Sequence, residues 1–168
     1  MVIKKDDTAF PTAPGTIAGN YNEEEFYFKN FRYNDIYNDL KEFREIVKKI
    51  NPFFKMLLTV SPVPLNATAS NDHVLVATIR SKSILRSVAG DFAEDYDDVF
   101  YFPSYEIISS HPSRGMFYQP NLREVNDVGV RYVMEHFFKS IGKKDFILPS
   151  SNDDNEIICD EEALEKFS

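Results

Sequence analysis

A layered α/β domain built on parallel strands is the fold class that this sequence predicts, and three observations predict it. Two short, nearly continuous apolar runs, at residues 55–60 and 98–102, have the pattern of strands in a parallel sheet rather than of half-exposed ones. Stretches with apolar residues at spacings of three and four precede, separate and follow these runs. The resulting order of helix, strand, helix, strand, helix implies right-handed crossovers within one sheet.

The first thirty residues come first in the chain and lack a period: Pro11, Pro14, Gly15 and Gly19 interrupt it, so residues 1–30 are expected to be an irregular arm. Residues 31–140 hold the regular elements. In the first helix Ile36, Leu40, Phe43, Val47 and Ile50 form one stripe, with Asn34 or Asp35 as the expected cap and Asn51-Pro52 as the stop. The run Lys55-Met56-Leu57-Leu58-Thr59-Val60 follows, expected to be a central strand buried on both faces and ended by Ser61-Pro62-Val63-Pro64. A second helix is expected over about residues 72–96, carried by Val76, Ile79, Leu85, Val88, Ala89 and Phe92. Asp98-Val99-Phe100-Tyr101-Phe102 is the second strand, ended by Pro103, and a loop is expected over residues 109–124. A last helix over residues 127–138 should turn Val130, Val133, Met134 and Phe137 inward.

Composition bounds the function. The 168 residues, 43% hydrophobic and 14% aromatic, suffice for one domain with a core. The formal net charge of −8 resides mainly in residues 150–168, which hold seven acids and one base and leave 20 acids against 18 bases elsewhere. Residues 141–168 therefore read as an acidic tail, with a short helix expected near residues 161–167. No basic stretch is suited to a phosphate backbone, so nucleic acid is not an expected partner. One cysteine, Cys159, and three histidines make neither a disulfide framework nor a zinc site of usual spacing, and no cofactor or metal is expected. The charged start and the shortness of the apolar runs predict no signal peptide and no membrane span, hence a soluble, cytoplasmic chain.

Five segments, in order and spacing, carry a resemblance: Phe10-Pro11-Thr12-Ala13-Pro14-Gly15-Thr16, Ile50-Asn51-Pro52, Leu58-Thr59-Val60-Ser61-Pro62-Val63-Pro64-Leu65, Ser81-Lys82-Ser83-Ile84-Leu85-Arg86 and Tyr101-Phe102-Pro103-Ser104-Tyr105-Glu106-Ile107-Ile108. Together they resemble the later part of a GSCFA-family domain over about residues 8–138. The resemblance implies a three-layer α/β/α fold like that of the SGNH, or GDSL-like, hydrolases, with a flavodoxin-like parallel sheet incomplete at its N-terminal side. It further implies a serine nucleophile near the family's N-terminus, an Asp-x-x-His pair before the last helix, and esterase or acyl-transfer chemistry, with an acylated carbohydrate as the associated substrate class. The chain contains no Gly-Ser dipeptide, so the block that names the family and its first strand are expected to be absent. With Gly129 in register, the family's acid position falls on Asn121 and its base position on Glu124. An amide and a carboxylate cannot replace a histidine that takes a hydroxyl proton while an aspartate steadies it.

The remaining candidates each have a plainer reading beside the functional one. His73, next to Asp72 after a strand end, is either a base or a residue of the helix start. His111-Pro112 imitates a His-Pro block but has Ile108 where the acid belongs, so it reads as a loop histidine; His136 reads as a surface or groove residue. Ser61 and Ser104 follow the two strands, at the sheet's carboxyl edge where chemistry collects in such folds, and each is either a substrate contact or a strand-end hydroxyl that bonds backbone. Glu106 is either a substrate-orienting group or the ion-pair partner of Arg86 or Arg114. Asn66-Ala67-Thr68 matches a glycosylation acceptor without a secretory context, Cys159 lacks a basic neighbour, and the Phe53-Phe54 and Phe137-Phe138 pairs read as core contacts. The expected function is the C-terminal part of an esterase- or acyltransferase-like domain that is inactive alone. The alternative is a non-catalytic half-domain, or pseudogene product, completed by a partner chain that supplies the missing N-terminal half.

Overall fold

A computed structural model of the chain describes residues 1–10, 20 and 22–142. Residues 143–168 of the acidic tail, with its expected terminal helix and Cys159, and residues 11–16 of the first quoted segment, lie outside the described residues. The described chain divides into two compact units, one within Met1–Asn30 and one beginning at Phe31.

In the first unit, where an irregular arm was expected, β1 (Val2–Ile3) pairs antiparallel with β2 (Phe26–Tyr27), Val2 opposite Tyr27. Val-Ile and Phe-Tyr are strand-favouring pairs, and two residues each suffice to close the ladder. The Tyr27 hydroxyl donates to Asp7 at 2.9 Å, and Phe10 meets Phe26 edge-on at 5.8 Å.

The second unit is α/β. Its elements are α1 (Tyr33–Ile50), β3 (Met56–Leu58), α2 (Val74–Asp95), β4 (Val99–Tyr101), α3 (Ser104–Ser109), a 3-10 turn (His111–Ser113) and α4 (Asp127–Ser140). β3 and β4 are parallel, with Met56 opposite Val99, Leu57 opposite Phe100 and Leu58 opposite Tyr101, so β3, α2 and β4 make a βαβ crossover. The strands are shorter than the apolar runs that announced them, because the regular pairing extends over three residues of each.

The core forms where one face of this sheet meets the helices. Met56, Phe92 and Val99 are buried together, and Tyr37, Leu40, Phe54, Leu58 and Tyr96 pack against them. Phe92 is fully buried and contacts the Tyr37 and Tyr96 rings at 5.3 and 4.7 Å. Burying such a side chain contributes about 1.5–3 kcal/mol. Two phenols clasp α1 to α2: Tyr33 donates to Asp91 at 2.6 Å and Tyr37 to Asp95. At the other end of α1, Arg44 and Lys48 both bond Asp98, the residue before β4, and the Arg44 guanidinium lies 4.1 Å from the Tyr96 ring centre.

Several expectations need correction. Burial on both faces of the strands fails: Leu57 and Phe100, which alternation turns away from Met56 and Val99, are about half exposed at 49% and 48%. The α1 cap is Arg32; Asp35 instead sits in the first turn, where its carboxylate accepts the Arg32 N–H at 2.9 Å. In α2 the early stripe is turned: Val76 and Ile79 are exposed, whereas Ala77, Thr78 and Lys82 are buried, because Thr78 accepts the Leu65 N–H from the segment after β3. Phe53 is exposed while Phe54 joins the core. Residues 104–109, to which the sequence reading assigned no element, form α3; Pro103, read as the end of the strand, directly precedes its first turn, where proline is tolerated.

Candidate functional site

The carboxyl ends of β3 and β4 feed the two segments from which any site of this sheet must be built, residues 59–66 and 102–109. Hydrogen bonds of two residues, Ser104 and Tyr118, hold these segments together. The Ser104 hydroxyl donates to the Val60 carbonyl at 3.0 Å and lies 2.6 Å from the Thr59 hydroxyl. The Tyr118 hydroxyl donates to the Pro62 carbonyl at 2.8 Å and lies 2.6 Å from the Ser109 hydroxyl. Burial pushes the Tyr118 pKa up, so this phenol stays a donor throughout the neutral range.

Glu106, in the first turn of α3, accepts the Arg86 Nε–H and the Tyr101 hydroxyl, the latter at 2.8 Å. The Arg86 guanidinium also lies 4.2 Å from the Tyr101 ring centre. Of the two expected partners of Glu106, Arg86 is the one that the fold delivers. Gly90 makes room for it, since a Cβ there would fall 2.5 Å from an Arg86 terminal nitrogen.

Each residue singled out in the sequence has a defined place. Ser61 is exposed and its Oγ accepts the Val63 N–H at 3.2 Å, a local turn before Pro64. Ser104 is buried with its hydroxyl committed to backbone and to Thr59. His73 caps α2, its Nδ1 accepting the Leu75 N–H at 3.2 Å. Asn121 folds back on its own loop, its Oδ1 accepting the Arg123 and Glu124 N–H groups at 3.0 and 3.2 Å, with Leu122 at φ +57° between them. Glu124 is exposed, and its carbonyl accepts the Gln119 N–H at 2.8 Å. His111 lies exposed in the 3-10 turn, and His136 meets the Tyr132 ring edge-on at 4.6 Å.

The fold brings Ser104 beside the end of β3, and it joins Glu106 to Arg86 and Tyr101. Among the described residues no serine or threonine hydroxyl is hydrogen-bonded to an imidazole. Nor, among them, does any group of three or more His, Cys, Asp or Glu side chains form a metal-holding cluster. No described helix is long and apolar enough to cross a membrane. On the other sheet face an apolar cavity of about 630 Å³ is lined by Leu57, Phe100, Phe102, Ile107, His136 and Ile141.

Two structural features of this region escaped the sequence reading. Asn126 organises the loop before α4: its Oδ1 accepts the Gly129 N–H at 2.9 Å, and its Nδ2 donates to the Met116 and Tyr118 carbonyls at 2.9 and 3.2 Å. An Asn immediately before an apolar helical period was the available signal. The other is Lys82, a charge in register with the buried flank of α2.

A parallel βαβ unit with hydroxyls and an Arg–Glu–Tyr cluster at its strand ends defines an α/β protein of the kind that places ligands at the carboxyl edge of its sheet. The GSCFA family model matches residues 3–137, and the chain belongs to that family. No curated protein and no solved structure matches the chain.

Proposed function

We propose that this chain supplies strand-end segments of an SGNH-like esterase or acyltransferase domain acting on an acylated carbohydrate, and that it turns over no ester by itself. The observation that carries this reading lies at residues 121–124. Where the resemblance calls for an acid and a histidine stand an Asn, whose Oδ1 is spent on its own loop, and an exposed Glu. A solvated carboxylate is too weak a base at neutral pH to activate a serine hydroxyl.

The test is hydrolysis of p-nitrophenyl acetate by the purified full chain, beside its Ser61→Ala variant. A rate equal to that of buffer supports the proposal. Saturable turnover that disappears with Ser61→Ala overturns it, because Ser61 would then be a nucleophile.

A second reading is favoured by the half-exposed Leu57 and Phe100 on the open sheet face: a non-catalytic half-domain completed by a partner chain that contributes further strands. Co-expression with a chain carrying a Gly-Ser-Cys-Phe-Ala block, followed by co-purification, supports this reading. Failure of the two chains to associate overturns it.

A further inference from the structure

Lys82 is a lysine in the wrong place for an ordinary surface charge. Its residue is only 8% exposed, in the middle of α2, on the flank that packs inward. Lysines are almost never so buried unless paired, because an ammonium loses its hydration. Among the described residues, however, no carboxylate pairs with Lys82 and no acceptor takes its N–H groups. No described side-chain nitrogen or oxygen sealed from solvent lacks a partner, so this ammonium meets solvent at the end of a buried stem. Burial also pushes its pKa down.

Position says what the ammonium serves. Helical spacing lays Thr78, Lys82 and Arg86 one turn apart on one flank of α2. Thr78 holds the segment after β3 through Leu65, and Arg86 holds Glu106 in the segment after β4. Lys82 stands between these two anchors, at the sheet's carboxyl edge. Glu106 already answers Arg86, whose guanidinium turns toward Gly90 and the Tyr101 ring, so Lys82 is the positive charge left uncompensated on this flank.

We propose that Lys82 is the anion-recognising group of a binding site at the carboxyl edge of β3 and β4, and that its ligand presents a singly charged carboxylate. One monoanion cancels the residual charge and gives the ammonium the charge-assisted acceptor that the protein withholds. The site stands on this geometry and involves no turnover, so a chain without esterase activity binds the anion equally well.

The test titrates the full chain, labelled with 13C at the lysine ε-carbon and 15N at the backbone, with sodium acetate at constant ionic strength maintained with sodium chloride. Parallel arms use sodium phosphate and chloride alone. The Lys82 ε-carbon signal, identified by its loss in Lys82→Met, is expected to shift saturably with acetate, together with the backbone amides near Thr78 and Arg86. Lys82→Met should weaken the amide response at least about tenfold, the effect of losing one charge-assisted hydrogen bond, while Lys82→Arg retains it. No saturable shift with acetate up to about 50 mM, an unchanged amide response in Lys82→Met, or saturation by phosphate alone would each overturn the carboxylate site.

Discussion

Tyr118 and Pro62, 56 positions apart in sequence, are joined by a 2.8 Å hydrogen bond from phenol to carbonyl. This bond ties the segment after β3 to the loop that runs into α4, two stretches without regular ladder partners of their own. It is therefore a direct measure of how firmly the carboxyl edge is assembled.

Tyr118→Phe removes the donor, leaves the Pro62 carbonyl short of a partner and separates the Ser109 hydroxyl from its neighbour. A loss of about 1–2 kcal/mol in urea denaturation is expected, with an unchanged m-value. An unaltered midpoint would show that the two segments are held by other contacts.

Asp98 joins the ends of α1 and β4 electrostatically. The Lys48 ammonium first, and then Arg44, hold its carboxyl down from 3.8 to about 2. Because the folded value lies below the unfolded one, the stabilisation is complete above the unfolded pKa and fades as pH falls through the folded pKa near 2. Thermal scans between pH 5 and pH 2 should show Asp98→Asn less stable than the parent at the upper end, with the two curves converging at the lower end. Parallel curves would refute this linkage.

Gly129 lies in the first turn of α4, and a Cβ there would fall 2.8 Å from the Phe117 Cβ and 3.0 Å from the Phe117 carbonyl oxygen. Backbone cannot swing away as a side-chain tip can. Gly129→Ala is expected to destabilise by about 1–3 kcal/mol despite its better helix propensity, read by chemical denaturation. A stabilised variant would mean that the loop over residues 117–125 yields freely.

Tyr33 and Tyr37 set the alkaline limit. Hydrogen bonding to Asp91, aided by desolvation, pushes the Tyr33 phenol up to about 12, and Asp95 raises Tyr37 in the same way. Folded values above the ordinary 10 mean that the clasp between α1 and α2 is whole below pH 10 and fails as pH rises beyond it. Tyr37→Phe should be less stable than the parent at pH 8 and should lose this difference in the alkaline limb of an unfolding profile. A constant difference would sink the assignment.

Much of the second unit could be read along the chain. Long-period signals survive folding well: α2 and α4 begin within two residues of expectation, because His73 and Asn126 are polar caps before apolar periods. The strands announced themselves as apolar runs, yet how far they pair depends on the partner's register and not on either run alone. Whether both faces would be covered could not be read at all, since Leu57 and Phe100 look as apolar as Met56 and Val99. The small pairing of Val2–Ile3 with Phe26–Tyr27 was equally hidden, because strands of two residues leave no period.

At the site the same division holds. Types and spacings of side chains placed Ser61, Ser104 and Glu106 after strand ends, and the family resemblance set an amide and a carboxylate, Asn121 and Glu124, where it implies an acid and a histidine. Amino-acid order also established the family. Three-dimensional packing alone chose Arg86 over Arg114 for Glu106, committed the Ser104 hydroxyl to Val60, and turned Lys82 rather than Val76 or Ile79 into the protein. The reason is physical: a helix's period says that one side will be buried, but which side is settled by the hydrogen bonds and charges that approach from elements distant in sequence.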